Sequence, residues 1–192
     1  MKKVLIIGAG GGIAQIVTSM LLKNDDVNLA LFLRNPRKLK SSDASKCKVI
    51  TGDVLDFNTL KQAVTGQDIV YVNLAGDLEA MAKNVAKAMQ QTGVKRIIAI
   101  SSIGIYAVPL RPVLIPYRKL ADVIEGAGLD YTILRPTWFA NNDEVDYEIT
   151  LKSEPEKGSV IAKKSLAAFI AKVIESPQMY IGENLGINKP NS

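Results

Sequence analysis

The fold is decided by the stretch Gly8-Ala9-Gly10-Gly11-Gly12-Ile13-Ala14. It follows a short apolar run at residues 4–7 and opens a segment, 13–21, in which apolar residues recur at helical spacing. Small residues between a strand and a helix permit a tight turn and a close approach of backbone N–H groups to a phosphate, which the positive end of the helix dipole also attracts. The stretch therefore predicts a phosphate-binding loop between the first strand and the first helix.

The glycines fit one spacing better than another. In the pattern Gly-x-Gly-x-x-Gly the third glycine is missing, because Ile13 stands there. The pattern Gly8-x-x-Gly11-x-x-Ala14 is complete, since Ala14 is small enough for close packing of the helix on the sheet. We expect a dinucleotide to contact this loop at Gly8, Gly10, Gly11, Gly12 and Ile13.

Apolar runs alternate with helical patterns along the chain, as in a parallel sheet with crossover helices. Strands are predicted at 4–7, 27–33, 49–51, 69–74, 96–100 and 131–134, and helices at 13–21, around 60–64, at 78–92 and at 116–127. Gly66 and Gly93 are placed to end two of these helices. The prediction is an α/β fold: a Rossmann-type, doubly wound parallel β-sheet flanked by helices, in a single domain over residues 1–192.

The pattern weakens after Pro136, where we predict short strands at 147–151 and 159–161, a helix at 165–174 and a last strand within 179–187. The chain contains no internal repeat, linker or low-complexity tract. We therefore expect residues 137–192 to be a small C-terminal elaboration of the same domain.

Composition excludes several kinds of chemistry. The chain has no histidine, so it cannot build a Ser-His-Asp triad, a Cys-His dyad or a histidine zinc site. Its single cysteine, Cys47, excludes an internal disulfide and a multi-cysteine metal cluster. We expect no metal site and a reducing, cytoplasmic environment.

Charge and hydropathy argue against nucleic-acid and membrane partners. The net charge is +5, but basic residues are dense only between Arg34 and Lys48, and aromatics, 6% of the chain, do not interleave with them. Glycines interrupt the apolar run at 4–7, and no run approaches the ~20 residues that span a bilayer. We expect a small-molecule partner and neither nucleic acid nor membrane; the sequence indicates no oligomeric state.

Four segments besides the glycine loop carry a family resemblance: Thr51-Gly52-Asp53-Val54-Leu55-Asp56, Asn73-Leu74-Ala75-Gly76, Ser101-Ser102-Ile103-Gly104-Ile105-Tyr106, and Gly128-Leu129-Asp130-Tyr131-Thr132-Ile133-Leu134-Arg135-Pro136. With that loop, they make nearly the whole chain resemble the atypical short-chain dehydrogenase/reductase family, in its small NAD(P)-binding, NmrA-like branch. The resemblance implies that Asp53 meets the adenine, and that Val54, Ala75, Gly76 and Pro136 also contact the cofactor. An Asp after a strand can instead simply stabilise a turn.

Arg34 favours one cofactor. An acidic residue after the second strand would bind the ribose 2′-hydroxyl of NAD(H), whereas an Arg accepts the additional phosphate of NADP(H). Arg37 and Lys38 lie near it in sequence and raise the local potential for a dianion. We predict NADP(H), with NAD(H) less favoured; the alternative is a solvated basic loop.

The catalytic site is incomplete relative to the family. Short-chain reductases use Ser, Tyr and Lys, in which the Lys lowers the Tyr pKa and the Tyr exchanges a proton with the carbonyl oxygen. Ser102 matches the serine and Tyr117 is the candidate tyrosine, but the residue four positions later is Ala121. Lys119, only two positions away, is the candidate lysine, although that role would leave Ile115 at the tyrosine position. The candidate catalytic residues are therefore Ser102, Tyr117 and Lys119. Tyr117 can equally be a structural residue at a helix start.

Two functions are compatible with these features. The first is an NADP(H)-dependent oxidoreductase of the atypical short-chain reductase type, acting on a small carbonyl, quinone or flavin-like acceptor. The second is a non-catalytic NADP(H)-binding sensor or regulatory protein, which the missing Tyr-x-x-x-Lys motif favours. The fold alone does not choose between them.

Overall fold

The computed structural model describes all residues, 1–192. Its strands are β1 (Lys2–Ile7), β2 (Val27–Leu33), β3 (Lys48–Thr51), β4 (Ile69–Val72), β5 (Arg96–Ile100), β6 (Asp130–Pro136), β7 (Trp138–Ala140), β8 (Glu148–Thr150), β9 (Val160–Ala162) and β10 (Glu183–Asn188). Its helices are α1 (Gly12–Leu21), α2 (Ser41–Ala44), α3 (Phe57–Val64), α4 (Leu78–Thr92), α5 (Ile115–Glu125) and α6 (Lys163–Glu175). Short 3-10 turns lie at Pro36–Lys38 and Pro112–Leu114.

The main sheet has eight strands in the order β3-β2-β1-β4-β5-β6-β10-β8. All neighbours are parallel except β10 and β8. From β1 the chain builds outwards to β2 and β3 and then returns to place β4 on the other side of β1. The sheet therefore has a topological switch point between β1 and β4, and ligands of such sheets bind outside the carboxyl ends of the strands at that point.

Each face of the sheet carries its own hydrophobic layer. Leu5 and Ile7 of β1 pack with α3, α4 and α5, whereas Val4 and Ile6 pack with α1 and α6. Successive side chains of a strand point to opposite faces, so a strand covered on both sides must be apolar at every position. This explains the uninterrupted apolar run that predicted β1. No helix combines the length and apolar character needed to cross a bilayer.

Local chemistry sets several helix ends. Asp77 accepts a hydrogen bond from the backbone N–H of Ala80 at the start of α4, and Gly93 ends that helix in the left-handed conformation. Pro116 lies in the first turn of α5, where its missing N–H costs no hydrogen bond. The predicted fold class is confirmed.

The structure differs from the prediction mainly in the C-terminal part. Residues 179–182 form a turn and β10 begins only at Glu183, because Tyr180 and Gly182 have positive φ angles that an extended strand does not allow. The short strand β7 was not predicted; it forms by pairing with β9, in a register that sets Trp138 opposite Val160. Residues 137–192 contribute β10 and β8 to the main sheet.

Candidate functional site

The glycine loop lies at the switch point of the sheet. Gly8 has a φ of +82°, and a Cβ added there would collide with the backbone carbonyl of Asn73. A Cβ at Gly11 would lie 2.7 Å from the side-chain amide nitrogen of Asn73. Asn73 directly follows β4, the neighbour of β1, so the loops after these two strands are in contact. Chain packing by itself therefore requires glycine at position 8, whereas a side chain at position 11 would require the Asn73 side chain to move.

The start of α1 offers unused hydrogen-bond donors. Gly11 caps the helix without a side chain, and the first turn contains no acidic residue. The backbone N–H groups of Gly12, Ile13 and Ala14 have no acceptor within the protein. The side chain of Gln15 donates to the carbonyl of Gly10 at 3.0 Å, which steadies the loop from inside. An anion such as a pyrophosphate fits this helix start.

A first cavity of about 440 Å³ extends from the glycine loop across the carboxyl ends of β1, β2, β3 and β4. It contains most of the residues predicted to hold the cofactor: Gly8, Gly10, Gly11, Arg34, Lys38, Asp53, Val54 and Ala75. The other lining residues were not among the predicted contacts: Phe32, Leu33, Asn35, Gly52, Asn73, Leu74 and Met81. Their common signal is position, since all of them except Met81 lie within two residues of the carboxyl end of β2, β3 or β4.

The basic wall of this cavity is formed by Arg34 and Lys38. A guanidinium nitrogen of Arg34 lies 4.0 Å from a carboxylate oxygen of Asp53, and the Arg34 side chain is 73% exposed, so this ion pair is weak. The aliphatic part of Lys38 packs beside Gly10, where an added Cβ would lie 3.2 Å from the Lys38 Cβ. Asp53 also accepts a hydrogen bond from the Leu55 N–H at 2.9 Å, so it stabilises its own turn as well as lining the cavity.

A second cavity of about 390 Å³ adjoins the first, and Asn73 and Leu74 line both. Its walls come from the end of β5, the loop that leads to α5, and the segment from β6 to β7. Most of the lining is apolar: Ile13, Ile100, Ile103, Gly104, Ala107, Val113, Leu114, Pro136, Trp138 and Phe139. The polar lining residues are Ser101, Ser102, Arg111, Tyr117 and Thr137, besides the shared Asn73.

Two of the three predicted catalytic residues meet in this second cavity. Ser102 and Tyr117 both line it, although they are distant in sequence. The buried hydroxyl of Ser101 donates to the backbone carbonyl of Tyr117 at 3.0 Å, which fixes the start of α5 against the end of β5. The Ser102 hydroxyl donates to the carbonyl of Ile103 at 3.2 Å.

The structure does not bring Lys119 to either cavity. Its ammonium group donates to a carboxylate oxygen of Glu79 on α4 at 2.5 Å. Hydrogen bonds from Lys119 and Lys83 hold the pKa of the Glu79 carboxyl at about 2. Lys119 lies two positions after Tyr117 on α5, so it points away from the face that carries Tyr117. The predicted grouping of Lys119 with Ser102 and Tyr117 is therefore absent.

Four predicted cofactor contacts lie elsewhere than on the first cavity. Ile13 and Pro136 line the second cavity, whereas Gly12 and Gly76 line neither. Gly12 is the first residue of α1, and no atom lies within 4 Å of the position that a Cβ would take there. Unlike Gly8, Gly12 is not required to be glycine by any protein contact.

A buried ion pair supports the second cavity from behind. Arg135 of β6 is only 1% exposed, and its guanidinium pairs with the carboxylate of Glu156. The other oxygen of Glu156 accepts a hydrogen bond from the backbone N–H of Gly104 at 2.8 Å. Gly104 lines the cavity, so Glu156 ties residues 151–158 to the loop that carries Ser102.

Tyr106 lies outside both cavities, in a polar cluster beside that ion pair. Its hydroxyl donates to Glu125 at 3.2 Å and accepts from Asn184 at 2.8 Å. Lys152 also pairs with Glu125 at 2.8 Å and lies 4.8 Å from the centre of the Tyr106 ring. Burial raises the pKa of Tyr106. The cluster anchors the segment after β8; it does not face a ligand cavity.

Comparison with known proteins agrees with this geometry. The family model described as "NAD(P)H-binding" matches residues 8–177. A Rossmann-fold NAD(P)-binding family protein from Shigella flexneri superposes with a TM-score of 0.93 at 46% identity, over 100% of this chain and 95% of that chain. A short-chain dehydrogenase/reductase from Veillonella parvula DSM 2008, in complex with NADP, has a TM-score of 0.89 at 25% identity, over 99% of this chain and 95% of that chain.

Among curated sequences, the chain is similar to an uncharacterised sugar epimerase of Bacillus subtilis (strain 168), YhfK. The two are 26% identical over 185 residues, which is 85% of this chain and 79% of that protein. The resemblance found in the sequence motifs is thereby confirmed. The chain belongs to the NAD(P)H-binding family.

Proposed function

We propose that the protein is an NADP(H)-dependent oxidoreductase that reduces a small carbonyl, quinone or flavin-like acceptor. The observation that carries this proposal is the pair of adjoining cavities that share Asn73 and Leu74. One is rimmed by the glycine loop and by basic residues, and the other is mainly apolar and contains Ser102 and Tyr117. A dinucleotide in the first cavity and an acceptor in the second would be neighbours.

The cofactor preference is proposed from the charges on the first cavity. Arg34 and Lys38 are both on its wall, and the carboxylate nearest to Arg34, that of Asp53, is 4.0 Å away and partly exposed. This long, solvated pair leaves the guanidinium free to bind a phosphate with two parallel hydrogen bonds. A 2′-phosphate therefore suits this wall better than an unmodified ribose.

The protein's own groups would orient the acceptor and supply the proton that it gains on reduction. Bound NADPH supplies a hydride, and the reduced acceptor must also gain a proton. The Tyr117 hydroxyl is the proton donor that the second cavity offers. The Ser102 hydroxyl would exchange the carbonyl of Ile103 for an acceptor oxygen as its hydrogen-bond acceptor. The apolar walls would exclude water from the reacting groups.

One observation favours the alternative, a non-catalytic NADP(H) sensor. No lysine lines the second cavity, because Lys119 is paired with Glu79. Tyr117 therefore lacks the lysine that accompanies the tyrosine in complete reductases. An acceptor whose reduced form takes its proton from water, such as a quinone, does not need that lysine, and for this reason the oxidoreductase remains our first proposal.

Titration and turnover separate the two functions. NADPH and NADH are titrated into the protein by calorimetry, and NADPH oxidation is then followed at 340 nm with menadione, riboflavin and benzaldehyde. We expect tighter binding of NADPH than of NADH, and turnover of at least one acceptor. NADPH binding without any turnover would support the sensor, and binding of neither cofactor would refute both functions.

A further inference from the structure

Arg111 is the only charged residue on the wall of the second cavity. The other side chains there are apolar, hydroxyl-bearing or amide, so the cavity has a single formal charge and it is positive. The wall contains no Asp or Glu that could neutralise it or attract a cationic ligand.

The guanidinium of Arg111 has no partner in the protein. No carboxylate lies within 4.0 Å of it, and its side chain makes no hydrogen bond. The arginines in structural roles differ from it in this respect: Arg96 donates to backbone carbonyls, Arg118 pairs with Asp122, and Arg135 pairs with Glu156. Arg111 therefore has all its donors available, beside a largely apolar surface.

The same cavity also has an apolar wall, formed mainly by aromatic side chains. Trp138 is 74% exposed and Phe139 is 44% exposed, and neither ring stacks on another aromatic ring of the protein. Their backbone is held in β7 by pairing with β9, so the two residues are fixed in place. Val113, 65% exposed, adds to this apolar surface beside Arg111. Exposed apolar surface of this kind marks a binding site.

We infer that the second cavity takes a flat, apolar molecule that bears a carboxylate, with the carboxylate bound by Arg111. A planar guanidinium binds a carboxylate through two parallel hydrogen bonds. The apolar body of the ligand would cover Trp138 and Phe139. That this ligand is the hydride acceptor rests on the proposed function. That the cavity binds a flat carboxylate follows from its lining residues and does not depend on that function.

The test uses two probes that differ only in charge. 2-Naphthoate and the neutral 2-naphthamide are titrated by calorimetry into the protein saturated with NADP⁺, a form in which no reduction takes place. We expect 2-naphthoate to bind at least tenfold more tightly than 2-naphthamide. Arg111→Gln should remove this preference and leave the 2-naphthamide affinity unchanged, and Arg111→Lys should restore part of it.

Lys95→Gln is the matched control, because Lys95 is an exposed cation directly before β5, at the amino-terminal end of that strand, and does not line the second cavity. It should leave the affinities for both probes unchanged. The inference is overturned if the wild-type protein does not bind 2-naphthoate, if it binds both probes equally, or if the preference persists in Arg111→Gln. NADP⁺ affinity is measured first in each variant. Loss of NADP⁺ binding with an intact naphthoate preference would refute the proposed function and leave this inference standing.

Discussion

Glu156 joins a buried cation to the backbone of the second cavity: one carboxylate oxygen pairs with Arg135, and the other accepts the N–H of Gly104 at 2.8 Å. Arg135 is 1% exposed, only its Nη1 bonds Glu156, and its other two guanidinium nitrogens have no hydrogen-bond partner. The charge of Arg135 is therefore compensated by this one carboxylate, and the position of the Ser102 loop depends on the same side chain.

Glu156→Ala should destabilise the protein by about 3 kcal/mol, because it leaves a buried guanidinium without its counter-charge. Glu156→Gln keeps an acceptor for the Gly104 N–H and should cost less. Urea unfolding followed by circular dichroism measures both. Asp143→Asn is the control: it breaks the Lys164 pair, whose Asp143 side chain is 89% exposed, and should cost less than about 0.5 kcal/mol. Equal small effects of all three variants would show that Glu156 does not stabilise Arg135.

Arg34→Ala should weaken NADPH binding by roughly tenfold or more and leave NADH binding nearly unchanged, because only NADPH carries the phosphate that the guanidinium would bind. Calorimetric titration of both cofactors measures the change. Arg37→Ala is the matched control, since Arg37 is close in sequence but does not line the first cavity. An equal loss for both cofactors would mean that Arg34 does not discriminate between them.

Tyr117→Phe should lower the turnover of a carbonyl acceptor by at least tenfold, because proton donation by a positioned side chain contributes roughly 10²–10⁴-fold. Turnover of menadione should change much less, since its reduced form can take protons from water. NADPH oxidation at 340 nm provides the rates. Tyr131→Phe serves as the control, as Tyr131 lines neither cavity. If carbonyl turnover is unchanged in Tyr117→Phe, the tyrosine is structural.

Gly8→Ala and Gly12→Ala should separate packing from ligand binding. The first places a Cβ against the Asn73 carbonyl at a φ of +82°, so we expect a large loss of stability or no folding. The second meets no protein atom within 4 Å and should leave the unfolding free energy unchanged or raise it slightly. We nevertheless expect Gly12→Ala to bind NADPH more weakly, because its methyl group lies at the helix start. Normal NADPH affinity in that variant would remove Gly12 from the predicted contacts.

The stability of the protein should depend on Glu79 at acid pH. The pKa of its carboxyl is about 2, below the ordinary value of 4.5, because Lys119 and Lys83 donate hydrogen bonds to it. A depressed pKa in the folded state contributes stability that is present above about pH 4.5 and is lost as the pH falls towards 2. Glu79→Gln should therefore flatten the pH dependence of the unfolding free energy between these values.

Asp25→Asn is the control for this measurement, because the Asp25 carboxylate has no hydrogen bond or ion pair in the protein. It should leave the slope unchanged. If the unfolding free energy of Glu79→Gln depends on pH as steeply as that of the wild-type protein, the Glu79 pair with Lys119 does not persist in solution.

The sequence alone was sufficient to predict the fold class, the first six strands of the sheet and the position of the glycine loop. Strands covered on both faces must be apolar throughout, and helices covered on one face must be apolar at helical spacing. For this reason the apolar pattern of the sequence predicted β1 to β6, α1, α4 and α5. Gly8 could be predicted because a strand-to-helix turn with a positive φ and a close backbone neighbour leaves no room for a side chain.

Only the tertiary structure decided which residues share a cavity. Asn73 contributes to both cavities because β4 lies beside β1 in the sheet, a neighbour relation that sequence spacing does not contain. Tyr117 and Lys119 are two positions apart on α5, yet Tyr117 lines the second cavity whereas Lys119 pairs with Glu79 on α4. Trp138 gains its place from the pairing of β7 with β9, which are distant in the chain. Periodicity encodes burial within one element, whereas the juxtaposition of side chains depends on how the elements pack.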